Sequence, residues 1–277
     1  PHFDEPASIP TDARAARPLA RLLRLGEVVA VRIPSLEQEA ARDLVRARDD
    51  CREDLMAARH RVTHTLLRRG IIYCGGSPWT GDHDLWLRRQ RFDHPAQQCT
   101  YDEALDAVLA TTGRRDRLDA AIAEMAAHSE FSPVITRLGC LRGISTLTAF
   151  GLAVEIGDWH RLTGRSIGNY LGLVPTESST GTSRHQGGIT RTGNKHVRRL
   201  LIEAAWQHRK PYRPGVTLRR RWAAACPAAR ARGQEGNFRL HQRWTHVDQR
   251  KKRPVIANAA IARELAGWCW SLAVLDD

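Results

Sequence analysis

No two of the six cysteines in this 277-residue sequence form a C-x-x-C pair; Cys51, Cys74, Cys99, Cys140, Cys226 and Cys269 are scattered along it. That scatter argues against a disulfide framework and denies a zinc site its usual paired ligands, so reduced thiols are expected. No apolar run reaches the ~18 residues a membrane-spanning helix requires. Nothing at the start resembles a secretory signal, and the first residue is Pro1 where an intact reading frame would begin with Met. These absences predict a soluble cytoplasmic protein with no membrane partner, and a chain that is a fragment.

Acid is the charge in short supply. Lys and Arg number 43 against 30 Asp and Glu, a net of +13. Residues 184–221 hold eleven of the bases and one acid, Glu203, and residues 222–253 hold eight bases and two acids. The remainder of the chain is therefore slightly negative. A positive excess confined to one stretch points to a polyanionic partner for that stretch. A hydrophobic content of 42% is that of a folding chain.

The pattern divides the chain into three. Residues 1–35 read as a proline-rich start, a short helix over roughly 13–25 closed by Gly26, and a strand over 28–33, the remnant of a larger α/β domain. Residues 36–128 read as a helical domain. Ser35 is placed to cap a helix in which Leu36, Ala40, Leu44, Ala47, Cys51, Leu55, Ala58, Val62 and Leu66 recur at three- and four-residue steps as far as Gly70. A second long helix through Leu105, Val108, Leu118, Ile122 and Met125 follows a Gly/Pro-rich link and has a potential break at Gly113. The pair suggests a coiled-coil hairpin or a dimer arm, with Leu55 and Val62 at the seam; two helices of a globular bundle is the alternative. Residues 129–277 read as a helical domain. In it, Leu138-x-x-Leu141-Arg142-Gly143-Ile144 has the cadence of a helix-hairpin-helix, whose glycine turn can offer N–H groups to a phosphate.

Several motifs fail on chemistry. Gly188-Ile-Thr-Arg-Thr-Gly193-Asn194-Lys195 imitates a phosphate loop, but Lys195 arrives one residue late and His196 replaces the magnesium-binding hydroxyl. His60 and His64 have the spacing of a metalloprotease helix, but Arg61 stands where the general base belongs. The polar stretch 176–194 reads as a loop. Its Ser178-Ser179-Thr180-Gly181 segment could carry a nucleophile, because a serine attacking a phosphodiester needs its proton removed and cations nearby. Arg184, Arg191 and Lys195 are close in sequence, with Arg198 and Arg199 on the polar face of the next helix. Asn194 is placed to cap that helix. A polar loop without chemistry remains the alternative on pattern alone.

The run Gly172-Leu-Val-Pro-Thr-Glu-Ser-Ser179-Thr-Gly181, then Gly188 to Trp206, resembles the transposase domain of the insertion-sequence-110 family, the DEDD-type transposases also called bridge recombinases. Ile156-Gly157-Asp158, Ala260–Gly267, Leu19–Arg24 and Arg42–Arg46 extend the resemblance over essentially the whole chain. It implies an RNase-H-like (RuvC-type) domain with four acidic magnesium ligands, a coiled coil, and a transposase domain whose serine forms a phosphoserine link to DNA. An element-encoded guide RNA and a dimeric or tetrameric, nucleoid-associated prokaryotic protein are also implied. The serine position is matched by Ser179, with Ser178 and Thr180 beside it. Asp12 matches one acid of an Asp-x-x-Asp pair, but Ala15 stands at the other, and the two earlier acids have no counterpart here. One carboxylate is a poor magnesium site, so the expectation is a mainly α chain with an impaired metal centre. The alternatives are a non-catalytic nucleic-acid-binding remnant and a structural dimerisation protein.

Overall fold

The computed structural model describes residues 12–26, 33–180 and 183–275. The side chains of 12–15 and of Arg184 are outside the described set, as is most of the strand expected over 28–33. The described chain is mainly α-helical, with one two-stranded sheet. It divides into two compact units, Pro1–Ser35 and Leu36–Asp277.

The first unit contains helix α1 (Asp12–Arg24). It closes as expected at Gly26, whose φ of 69° is one that glycine adopts without steric cost.

In the second unit, α2 (Leu36–Leu67) and α4 (Pro95–Ala127) are the two long helices, joined through the short α3 (Gly81–Arg88). They run antiparallel. Arg48 pairs with Asp119, Arg114 with Asp54, and Arg69 reaches Gln97, so rising numbers on one helix meet falling numbers on the other. The helix continues through Gly113 without the break expected there. From Cys51 onward the three- and four-residue periodicity has its cause in a shared core of Leu55, Ala58, Val62, Leu66, Leu87, Tyr101, Leu105 and Val108. Before it the expected register fails, with Leu36 and Ala40 exposed and Ala41 and Val45 buried. Burying a Leu or Val side chain contributes about 1.5–3 kcal/mol, which is what holds a pair this long together. The Tyr101 hydroxyl donates to the Leu87 carbonyl (2.9 Å), satisfying the one polar atom such burial would orphan.

The larger core gathers α5 (Ser132–Leu138), α6 (Thr146–Ile156), α8 (Lys195–Ala205), α9 (Val216–Ala224), α10 (Pro227–Gln249) and α11 (Pro254–Ala273), with the short α7 (Ile167–Tyr170) against α11. Every residue of α6 from Ala149 to Ile156 is buried. A helix apolar on all sides belongs at the centre of a core. The ends of α2 and α4 join the same core through Ala41, Val45, Ile122 and Ala126.

The stretch expected as a polar loop is instead a β-hairpin, β1 (Pro175–Thr180) paired antiparallel with β2 (Ser183–Ile189). Its backbone groups find partners in the ladder although its described side chains bury almost nothing.

Candidate nucleic-acid site on the β-hairpin and helix α8

The hairpin register sets Ser179 opposite Arg184, Ser178 opposite His185 and Thr180 opposite Ser183. Ser178, Ser179 and Thr180 are all exposed. Only for Ser179 does a hydroxyl-to-carboxylate hydrogen bond stand out: its Oγ donates to Glu177 Oε1 at 3.0 Å. Residues two apart on a strand share a face, so Glu177 is positioned by the strand geometry to receive that proton. Sequence reasoning overlooked Glu177; the i, i+2 carboxylate–serine spacing was the available signal, and it has meaning only once the segment is known to be extended.

The expected cations part company here. Arg191 is exposed and holds a left-handed φ of 58°, and Lys195 is exposed in the first turn of α8. Arg184 enters through its backbone position alone. Arg198 is a different case from the one expected. It is 9% exposed, and its guanidinium donates to the carbonyls of Leu171 (3.0 Å) and Thr192 (2.6 Å). It ties the segment before the hairpin to the segment after it, and contact with a phosphate would strip those carbonyls of their donor. Arg199 pairs with Glu203 one turn on, as the i, i+4 spacing predicts, and also with Asp49 of α2.

Asn194 caps α8 as expected, accepting from the Val197 N–H (3.0 Å). Its amide nitrogen also donates to Glu155 Oε2 (2.8 Å). Glu155 is the single acid in the buried helix α6. Arg46 of α2 grips it with two parallel hydrogen bonds (3.0 and 3.1 Å), and His196 approaches its other oxygen at 3.4 Å. Burial alone would push this carboxyl up. The hydrogen bonds from His196, Arg46 and Asn194 outweigh that and hold it at about 2. This network fixes the start of α8 against α2 and α6. The sequence clue was a lone acid within an apolar helical run, because a buried charge must find partners.

Gly143 lies between α5 and α6 with φ of 85°, and a Cβ there would stand 2.5 Å from the Ala204 carbonyl oxygen. Close approach of α8 therefore accounts for the glycine. The neighbouring N–H of Arg142 donates to Asn237 Oδ1 (2.7 Å) and that of Ile144 to the Leu141 carbonyl. Two of the N–H groups a helix-hairpin-helix would offer to phosphate are thus engaged inside the protein. Asp12 opens α1 in the other unit, and its side chain is outside the described residues.

A helical domain carrying an exposed serine-bearing hairpin followed by a basic segment fits a protein that handles a polyanion, and comparison with known proteins narrows the class. A sequence model of the IS116/IS110/IS902 family of transposases matches residues 136–215, the span from α5 to just beyond α8. The "Putative transposase y4qE" of Sinorhizobium fredii is 39% identical over 96% of this chain, which spans 65% of that protein's length. The transposase for insertion sequence element IS1533 of Leptospira borgpetersenii is 32% identical over 88% of this chain and 72% of its own length. That for element IS1328 of Yersinia enterocolitica is 37% identical over 33% of this chain. The chain belongs to the IS116/IS110/IS902 transposase family. No helix among the described residues is long and apolar enough to cross a membrane.

Proposed function

We propose that the chain acts on DNA as part of an insertion-sequence transposase, with Ser179 as the nucleophile. The observation that carries this reading is the Ser179 Oγ, exposed on a hairpin and hydrogen-bonded to the Glu177 carboxylate at 3.0 Å. Oγ forms a bond to phosphorus while one P–O bond of the phosphodiester breaks. The hydroxyl proton passes to Glu177, and the released sugar oxygen takes up a proton from water. The product is a phosphoserine link that conserves the energy of the broken bond for rejoining. Arg191 and Lys195, exposed on the segment after the hairpin, supply cations to the phosphate. Among the described residues, Ser178 and Thr180 have no carboxylate partner like the one that marks Ser179.

The resemblance brings magnesium with it. Among the described residues no three His, Cys, Asp or Glu side chains converge as metal ligands. Asp12 by itself offers one carboxylate where productive magnesium sites use several oxygens. The described residues do not make that site, and the steps above name only what this chain's own residues do. A guide RNA and an assembly of several copies belong to the same reading as partners the resemblance implies.

The test is trapping of a covalent protein–DNA adduct on labelled duplex DNA from an element end, read on a denaturing gel. An adduct that Ser179→Ala abolishes supports the reading. Salt-sensitive binding with no adduct under any condition favours a non-catalytic nucleic-acid-binding role instead.

A further inference from the structure

A second basic feature lies outside the hairpin and α8. Helices α10 and α11 and the turn around Gly164–Asn169 enclose an open cleft of about 740 Å³. Its wall carries Arg165, Arg232, Arg243 and Arg263 against one acid, Glu264. All four arginines belong to exposed positions; Arg232 pairs with Glu235 and Arg243 with Glu264, whereas Arg165 and Arg263 have no carboxylate partner among the described residues. The cleft exists because small residues line it. Gly168 is buried beneath Arg263, where a Cβ would meet Arg263 Cγ at 3.1 Å, and at Gly267 a Cβ would meet only the Gly164 carbonyl, at 3.5 Å. The wall is also held firm: the Trp270 indole donates to the carbonyls of Leu162 (2.9 Å) and Trp159 (3.2 Å).

The charge continues past the cleft along one helical face. Arg232, Arg239, Arg243, His246 and Arg250 follow one another on α10 and its cap at steps of seven, four, three and four residues. At 1.5 Å per residue that stripe is about 27 Å long. A small phosphate ligand would use only a fraction of it, whereas a nucleic-acid backbone presents phosphates along all of it.

We propose that the α10–α11 cleft is a second nucleic-acid site, which grips a phosphodiester backbone through Arg165, Arg263, Arg243 and Arg232, separately from the Ser179 hairpin. Its arginines act by charge and hydrogen bonding to phosphate, so they set affinity and position without reading sequence. DNA and RNA share this chemistry, and three probes of equal length separate them: duplex DNA, single-stranded DNA and single-stranded RNA.

The experiment measures binding of each probe by fluorescence anisotropy across a salt series, for the whole chain and three variants. Arg165→Gln with Arg263→Gln is expected to flatten the log–log salt slope on the preferred probe. The change should be roughly 1.4 for a single strand or 1.8 for a duplex, at about 0.7 or 0.9 per lost phosphate contact. Gly267→Leu fills the cleft at constant charge and should weaken the same probe at least tenfold. Arg68→Gln, which removes an exposed charge at the end of α2, should leave the slope within measurement error. The proposal is overturned if the double variant keeps the full slope on all three probes, or if Arg68→Gln flattens it as much per charge. Because binding alone is read, the result stands apart from whether Ser179 forms an adduct.

Discussion

Glu155 and His208 make acid the weak flank of this protein. The Glu155 carboxyl is 2% exposed and held at about 2, against 4.5 for the free side chain. A depressed carboxyl stabilises the fold above its unfolded value, and that contribution is lost as pH falls from about 4.5 through 2. The full shift corresponds to about 3 kcal/mol. His208 is fully buried, and burial, aided by the nearby Arg142 charge, lowers it from 6.5 to about 4. The unfolded chain takes up this proton first, so stability also falls between pH 6.5 and 4. Urea titrations from pH 7 to 3 should therefore show stability declining from about pH 6.5. His208→Leu should remove the part of the decline above pH 4.5, while Glu155→Gln should cost about 2–3 kcal/mol at pH 7 and flatten the part below it. Arg198 and Lys195 separate structure from binding on a single helix. Arg198→Ala orphans the Leu171 and Thr192 carbonyls and should cost about 1–3 kcal/mol in urea. Lys195→Ala on the exposed first turn should leave stability within about 0.5 kcal/mol and weaken DNA binding. Equal stability losses for the two would contradict the separation.

At the level of elements, the α2–α4 pair tests whether helical periodicity marks an interface between chains or a core within one. Leu55 and Val62, expected at a seam, are 4% and 0% exposed against α3 and α4 of the same chain. Leu55→Asp buries a charge there and should lower stability by several kcal/mol, with the mass by light scattering unchanged while the protein remains folded. A clean halving of mass without loss of stability would place Leu55 between chains. These helices were legible because their apolar residues repeat at three and four and their ends carry recognisable signals, such as Gly26 after α1 and Asn194 before α8. The β-hairpin was not. Its strands, PTESST and SRHQGGI, have no apolar face to alternate, since almost nothing on them is buried, and only the backbone ladder makes them strands. The helix-hairpin-helix cadence at Gly143 does mark two helices and a glycine turn. The use of that turn is set by Ala204, some 60 residues on, which no local pattern encodes.

On the scale of the whole molecule, charge was legible as an excess over 184–253, but the sum treats all cations alike. Burial and pairing divide them into Arg198 inside the fold, Arg199, Arg232, Arg239 and Arg243 in ion pairs, and Arg191, Lys195 and Arg250 exposed without a carboxylate partner among the described residues. The Ser179–Glu177 contact, legible only after the strand is known, leads to the most demanding prediction. The chain spans 65% of the y4qE length, and the resemblance implies metal-binding acids besides Asp12, with Ala15 at the place of one. With magnesium and element-end DNA, the chain alone is expected to bind without forming an adduct. When Ala15→Asp is combined with the N-terminal portion of the longer relative to restore the acids, an adduct should form. Ser179→Ala should abolish it outright, because it removes the attacking oxygen. Glu177→Gln keeps the shape but cannot take the proton, and should slow adduct formation by roughly 10²–10⁴ with DNA affinity intact. That slowing should shrink as pH rises and solvent hydroxide replaces the missing base. An adduct that persists in Ser179→Ala and disappears in Ser178→Ala or Thr180→Ala would move the nucleophile along the strand. Loss of DNA affinity in Glu177→Gln, with no change in the rate at saturating DNA, would make Glu177 a binding residue and remove it from the chemistry.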